Sequence, residues 1–386
     1  MTRSYLDHAA TTPMVAAAVE AMAAQLGIVG NPSSLHASGR AARRVVEESR
    51  EEIASLLGAQ PAEVIFTSGG TEADNVAIKG AYGVRARAEG RRRLVVSAIE
   101  HHAVLDPARW LATAAGADLV EVAVDDRGLI APDALDEAVT EETALVSIMW
   151  ANNEIGTLQP VPAVVDRAHR MGAWAHSDAV QAVGQVPVDF EASGLDLMTV
   201  TAHKLGGPVG VGALVARRRI ELEPVQHGGG QEREVRSGTL DVAAIAGFAT
   251  ALEVAIARRS AETARLETLR AGLVAAVLAA APDAVVHGPA ADADRLPGVL
   301  NVELPGCSSD ALLLLLDAAG IDCSTGSACT AGVAEPSHVL LALGRTESQA
   351  RSALRFSLGH TSSSADVDAL SRALPEVLTR ARAAGG

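Results

Sequence analysis

Val64-Ile65-Phe66-Thr67-Ser68-Gly69-Gly70-Thr71-Glu72 runs from a β-branched strand through paired glycines into the start of a helix. Two adjacent glycines let the backbone approach an anion closely. A helix that opens just beyond them offers free N–H groups and the positive end of its dipole. Thr71 and Asp74 stand at capping-box spacing, which predicts the helix start there. The stretch reads as a phosphate cradle or as an ordinary strand–turn–helix junction, and its surroundings decide between the two.

Those surroundings repeat the pattern. Short β-branched runs at Val64–Thr67, Leu94–Ala98, Leu119–Val124, Ala144–Met149, Ala173–His176, Leu197–Thr201 and Val211–Val215 read as strands. Amphipathic stretches near 34–57, 72–89, 103–115, 132–139 and 161–171 separate them. Alternation of this kind predicts an α/β domain with a largely parallel sheet. Ligands in such folds gather at the carboxyl ends of the strands. After Leu240 the texture changes. A helix pattern rich in Ala, Arg and Glu covers about 241–281. It is followed by strands at Val299–Leu304 and Ala353–Leu358, helices at 309–319 and from about 365, and a small-residue loop at 324–333. This segment reads as a smaller α+β domain.

At 386 residues, two domains are the default expectation. Nearly half the residues are apolar and only 2% are aromatic, so the cores must be aliphatic. The formal net charge of −15 disfavours nucleic acid and anionic membranes, both of which require a basic face. The Arg runs at 91–93 and 217–219 read as solvated element ends. Three cysteines, Cys307, Cys323 and Cys329, without a C-x-x-C pair, indicate a reducing compartment and no disulfide framework. No His/Cys/Asp spacing resembles a metal site. Met1–His8 shows no signal-peptide core, and the apolar runs are too short to span a bilayer. A cytoplasmic protein is expected.

Of 32 basic residues, 30 are Arg, and Lys79 and Lys204 alone keep a primary amine. Arg cannot form an imine, whereas a Lys with lowered basicity can. Lys204 follows His203 and precedes Leu205-Gly206-Gly207-Pro208, which suggests Schiff-base chemistry. Asp178 ends another strand 26 residues earlier, with Gln181 three residues beyond it. A strand-end carboxylate next to a heteroaromatic ring keeps a ring nitrogen protonated, which is what makes pyridoxal phosphate an electron sink. Taken alone, Asp178 reads more readily as a helix cap.

The ordered set of Gly-rich turn, strand-end Asp and His-Lys resembles the fold-type-I pyridoxal phosphate enzymes. More narrowly, the chain resembles the cysteine desulfurases of the class V aminotransferase group, of NifS/IscS type. The resemblance rests on Tyr5–Pro13, Gly30–Ser34, Phe66–Asn75, Glu100–Leu105, Asn152–Gly156, His203-Lys204, His227–Arg233, Arg236–Thr239, Gly326–Thr330 and Arg355–Gly359. It implies a large domain at 16–255 with a mostly parallel seven-stranded sheet. A small domain would comprise 1–15 and 256–386 and carry a Cys loop at about 324–335. It implies that Lys204 holds pyridoxal 5'-phosphate, that Asp178 pairs with the pyridine nitrogen and that Gln181 bonds the phenolic oxygen. His101 would stack on the ring and assist proton transfer. Gly70, Thr71, Thr201 and His203 would hold the phosphate. Thr239 would hold it from a second subunit, so a homodimer is implied. Asn153 and Arg355 would bind the amino-acid end of the substrate, with the Arg355 fork gripping its carboxylate. His102 stands where the family often has Lys and is assigned no role.

Cys329 lies in a run of small and polar residues, Ser324 to Gly332, which has little apolar surface to dock; a mobile segment is expected. The resemblance makes Cys329 the nucleophile that takes sulfur from L-cysteine, leaving L-alanine and an enzyme persulfide. The sulfur would then pass to an acceptor protein, such as an iron–sulfur scaffold, and onward to other thio-cofactors or tRNA. Selenocysteine lyase, cysteine-sulfinate desulfinase and a non-catalytic sulfur-relay partner are the alternatives. Cys307 and Cys323 read as incidental structural thiols.

Overall fold

The computed structural model describes residues 3–326 and 335–384. In chain order its strands are β1 (Ser4–Tyr5), β2 (Val64–Thr67), β3 (Arg93–Ser97), β4 (Asp118–Val122), β5 (Thr143–Ser147), β6 (Trp174–Asp178), β7 (Leu197–Thr201), β8 (Gly212–Ala216), β9 (Val285–His287), β10 (Val299–Glu303), β11 (Ile321–Asp322) and β12 (Ala353–Ser357). Seven of them form one sheet in the order β2-β8-β7-β6-β5-β3-β4. Strand β8 runs antiparallel to both neighbours, and the other pairings are parallel. The carboxyl ends of β2, β3, β5, β6 and β7 therefore share one edge.

Both faces of this sheet are buried, which is why its strands read as nearly continuous apolar runs. Phe66, Val95, Val146, Ala175, Met198 and Val215 face one core with the helices Ala37–Leu57 and Val161–Arg170. Ile65, Leu94, Val96, Leu145, Leu197 and Leu214 face the other with the helix His102–Ala114. The alternation along each strand assigns every side chain to one layer or the other.

The helix Val242–Ala280 is capped by Asp241, whose side chain accepts from the Ala244 amide at 2.9 Å. Its first half buries Ile245, Phe248 and Leu252 in the large core, and its second half buries Leu266, Leu273 and Val277 in another. That second core lies under the antiparallel sheet β12-β10-β9 and the helices Ser309–Ala318 and Ser364–Ala384. The N-terminal segment reaches across to it, with β1 pairing to β11 and Asp7 bridging to Ser357. Among the described residues, no helix is long and apolar enough to cross a membrane.

The expected capping box does not form. Gly69 is the cap, at φ 149° and ψ −178°, a conformation open only to glycine, and the helix begins at Gly70. The Ser68 amide donates to the Glu72 carboxylate at 2.6 Å. Asp74 is turned inward and buried, so it is not available as a partner for Thr71.

Candidate active site

The carboxyl edge of the large sheet faces β12 across a cavity of about 380 Å³. Gly70 and Thr71 line it from the turn after β2, and His101 from the turn after β3. Asn153 enters after β5, Asp178 from the end of β6, Gln181 just beyond it, and Thr201, His203 and Lys204 from the end of β7. Arg355 closes the far wall from β12. Ten of the twelve site residues expected from the sequence thus line one cavity. Thr239 does not: it is exposed and away from the lining. Cys329 lies outside the described residues; the chain leaves the cavity rim at Gly326, three residues before it.

The two glycines of the β2 turn differ: Gly69 has room for a Cβ but takes a φ of 149°, whereas Gly70 is closely packed. A Cβ on Gly70 would meet Val180 Cγ2 at 3.0 Å. Gly212, which opens β8 opposite both Thr67 and Thr201, leaves no room either: a Cβ there would meet Val200 O at 2.7 Å and the Gly69 backbone at 2.9 Å. The first-turn amides that follow Gly69 have no helical acceptor of their own, and Gly70 and Thr71, which carry two of them, line the cavity.

Lys204 Nζ donates to the carbonyls of Ala9 and Ala10, at 2.5 and 2.6 Å. Gln181 Nε2 donates to the same Ala9 carbonyl at 2.9 Å. Burial, helped by the nearby Arg355 charge, lowers the Lys204 pKa to about 8. His101 caps the helix His102–Ala114, its Nδ1 accepting from the Ala103 amide at 3.1 Å. The ring is open to the cavity, yet lost hydration and the charge of Lys204 hold it down to about 4. His203 is likewise lowered to about 4, chiefly by burial, and its Nδ1 lies 3.2 Å from Thr11 Oγ1. Thr201 Oγ1 donates to the Val211 carbonyl at 3.2 Å.

Asp178 is buried and accepts from the Val180 amide at 2.9 Å. Burial raises its pKa to about 6, against the pull of that hydrogen bond and of Lys204. Behind it lie two further buried carboxyls, Asp74 and Glu100, both raised well above the usual range, mainly by burial. His176 lies in the same layer, with Nε2 3.1 Å from Thr199 Oγ1 and 3.7 Å from Asp74 Oδ1. At the other end of the cavity, Arg355 donates to the Asn153 carbonyl at 3.0 Å and to Asp7 Oδ1 at 2.8 Å.

Sequence reasoning assigned no role in the site to Asp7, Asp74, Glu100, Glu154 or His338, Asp74 having been read only as a helix-capping partner. A signal existed for four of them, since Asp7, Asp74, Glu100 and Glu154 sit inside the motif segments quoted above. His338 carried none. Its Nε2 is 2.9 Å from the Glu100 carbonyl, and its ring meets His102 edge-on at 4.8 Å. Glu154 accepts from Ser337 Oγ at 2.5 Å.

The cavity thus holds a weakened amine, a buried carboxylate, a glycine-lined helix start and a guanidinium. This set suits a phosphorylated aromatic aldehyde, and pyridoxal phosphate fits it at every point: amine for the aldehyde, carboxylate for the ring nitrogen, amides for the phosphate.

Comparison with known proteins agrees. The sequence profile of the aminotransferase class-V family matches residues 4–370, and the chain belongs to that family, within its cysteine desulfurase group. It is 55% identical to the IscS-like cysteine desulfurase of Mycobacterium tuberculosis, over 99% of this chain and 98% of that protein. It is 40% identical to the cysteine desulfurase IscS of Dictyoglomus turgidum, over 98% and 95%. Among solved structures, a NifS-like protein superposes with a TM-score of 0.91 at 35% identity, covering 98% of this chain and 100% of that one. The NifS-like protein from Rickettsia africae gives 0.87 at 32%, covering 98% and 99%.

Proposed function

We propose that this chain removes the sulfur of L-cysteine with pyridoxal 5'-phosphate as cofactor, releases L-alanine, and keeps the sulfur as a persulfide on Cys329 for transfer to an acceptor protein. The observation that carries the reading is the placing of Lys204, of lowered basicity, in one cavity with Asp178 and Arg355.

When bound, pyridoxal phosphate supplies an electron sink for the pair left when the substrate α-proton departs. The chain supplies the rest. Lys204 would hold the cofactor, and its amine, of lowered basicity, would accept the α-proton. Asp178 keeps a proton on the ring nitrogen, and Gln181 donates to the phenolic oxygen. His101, which lines the same cavity, would stack on the ring and assist proton transfer. Gly70, Thr71, Thr201 and His203 hold the phosphate, joined by Thr239 of a second subunit in a homodimer. Arg355 and Asn153 orient the substrate carboxylate; a guanidinium fork suits it in charge and geometry. Cys329 attacks the substrate sulfur as a thiolate, so that an S–S bond forms as the carbon–sulfur bond breaks. The electron pair of the broken bond goes to the substrate β-carbon, which takes up one thiol proton on the way to alanine, while the persulfide keeps the other, so the step balances without an external oxidant.

The domain division 16–255 against 1–15 and 256–386 is part of this reading, supported by the two cores served by the helix Val242–Ala280. So are a cytoplasmic location and sulfur delivery to an iron–sulfur scaffold. The test is direct. Purified protein reconstituted with pyridoxal phosphate should release one alanine per sulfur transferred from L-cysteine, and Cys329→Ser should lose that activity. Undiminished turnover of L-cysteine by the Ser variant would defeat the persulfide route and favour the lyase or desulfinase reading.

A further inference from the structure

The small sheet β12-β10-β9 is built the wrong way round for a solvent-facing layer. One face carries Leu300, Val302, Leu354 and Phe356 into the second core. The other carries Asn301 and Glu303 of β10, Arg355 of β12 and His287 of β9, and these are buried as well, at 0, 4, 4 and 2% exposure. Register makes them neighbours: Asn301 lies directly opposite Arg355 on one side and His287 on the other. Directly opposed residues of an antiparallel pair share a face.

Among the described residues, both amide atoms of Asn301, both ring nitrogens of His287, Oε2 of Glu303 and Nε of Arg355 have no hydrogen-bond partner. Buried polar groups are rarely left unsatisfied, so a run of them along one row points to bonds among themselves, direct or through buried water. Donors and acceptors match in order. Arg355 Nε–H would donate to Asn301 Oδ1, and Asn301 Nδ2–H to one nitrogen of a neutral His287. The other His287 nitrogen would donate toward Glu303 Oε2, which lies 3.6 Å from Nε2, a gap that a small shift or a water closes. Burial and the Arg345 charge hold His287 neutral, at about 4.

We propose that Asn301 is a positioning residue for Arg355, the first link of a buried chain running from Arg355 through Asn301 and His287 to Glu303. Arg355's other two nitrogens are fixed by Asn153 and Asp7 on the cavity side. Asn301 fixes the third from behind, so the guanidinium cannot rotate out of the plane that meets a carboxylate. This rests on Arg355 being the carboxylate site proposed above.

Two measurements test it. A crystal structure that shows buried water should place Asn301 Oδ1, or a water bridging to it, within hydrogen-bond distance of Arg355 Nε. An Nε–H served by another residue, or by none, overturns the proposal whether or not any variant folds. In kinetics, Asn301→Leu keeps the volume and removes both amide atoms. KM for L-cysteine should rise about tenfold, the order of one hydrogen bond to a charged group, while kcat stays within about twofold. Asn301→Ser, which keeps an acceptor for a bridging water, should fall between the two. If Arg355→Ala raises KM and Asn301→Leu does not, the chain is refuted and the carboxylate site stands. If Arg355→Ala leaves KM unchanged, the carboxylate reading itself fails.

Discussion

Arg355→Ala isolates the grip on the substrate carboxylate. In the structure Arg355 serves Asp7 at 2.8 Å and the Asn153 carbonyl at 3.0 Å. A substrate carboxylate therefore displaces part of an existing ion pair and does not meet a free guanidinium. A hydrogen bond to a charged group contributes about 1.5–3 kcal/mol, and a bidentate fork makes two. With one of them offsetting the loss of Asp7, the net contribution is that of one such bond, about 1.5–3 kcal/mol. At about 1.4 kcal/mol per factor of ten, that is roughly ten- to a hundredfold. The assay is alanine or sulfide release at initial rate, run on L-cysteine and on 2-aminoethanethiol, which lacks the carboxylate. The wild type should favour L-cysteine in kcat/KM by about ten- to a hundredfold on this account. Arg355→Ala should lose that preference and leave the amine-only substrate nearly unaffected. A variant that still discriminates between the two substrates would refute the reasoning, because a merely unfolded or loosened site would slow both.

Three other outcomes are expected. Lys204→Ala should lose both turnover and the visible absorbance of the reconstituted cofactor; retention of either would remove Lys204 from the site. Gly212→Ala places a Cβ 2.7 Å from Val200 O and 2.9 Å from the Gly69 backbone, so cofactor affinity, read by fluorescence titration, should fall while the circular dichroism stays native. Asp178→Asn should abolish turnover yet stabilise the cofactor-free protein. A carboxyl raised to about 6 in the fold, from about 3.9 unfolded, costs roughly 3 kcal/mol once both states have ionised, and an amide escapes that cost. The sign follows from proton counting: the native state binds the extra proton, so the variant's advantage is full above about pH 6 and fades as pH falls toward 4. A thermal-melting difference that is absent at pH 7.5, or that grows on acidification, would contradict the burial argument.

Much of the large domain was legible because its strands are buried on both faces. Runs such as Val64–Thr67 and Leu197–Thr201 match the observed strands residue for residue. The start of the helix after β2 was misread, because Thr71 and Asp74 fit a capping box by spacing alone. Asp74 is instead drawn under Asp178, and Gly69 caps. The two-residue pair β1–β11 and the three-residue β9 carry too little pattern to be read from sequence. The polar face of the small sheet was hidden for another reason. Asn301, Glu303 and Arg355 alternate with apolar residues just as a solvent-facing row does, and only tertiary burial distinguishes them. For the site, the ordered motifs located ten lining residues. They did not reveal Asp7 on Arg355, a contact between residues 348 apart in sequence, or the Ala9 and Ala10 carbonyls on Lys204.

The central claim is that sulfur leaves L-cysteine for one particular thiol. Mass spectrometry of the reconstituted protein after brief exposure to L-cysteine, without reductant, measures this directly. The peptide that contains Cys329 should be heavier by one sulfur atom, with alanine released in equal amount. Alanine released with that peptide unchanged, or the added sulfur found on Cys307 or Cys323, would contradict the account.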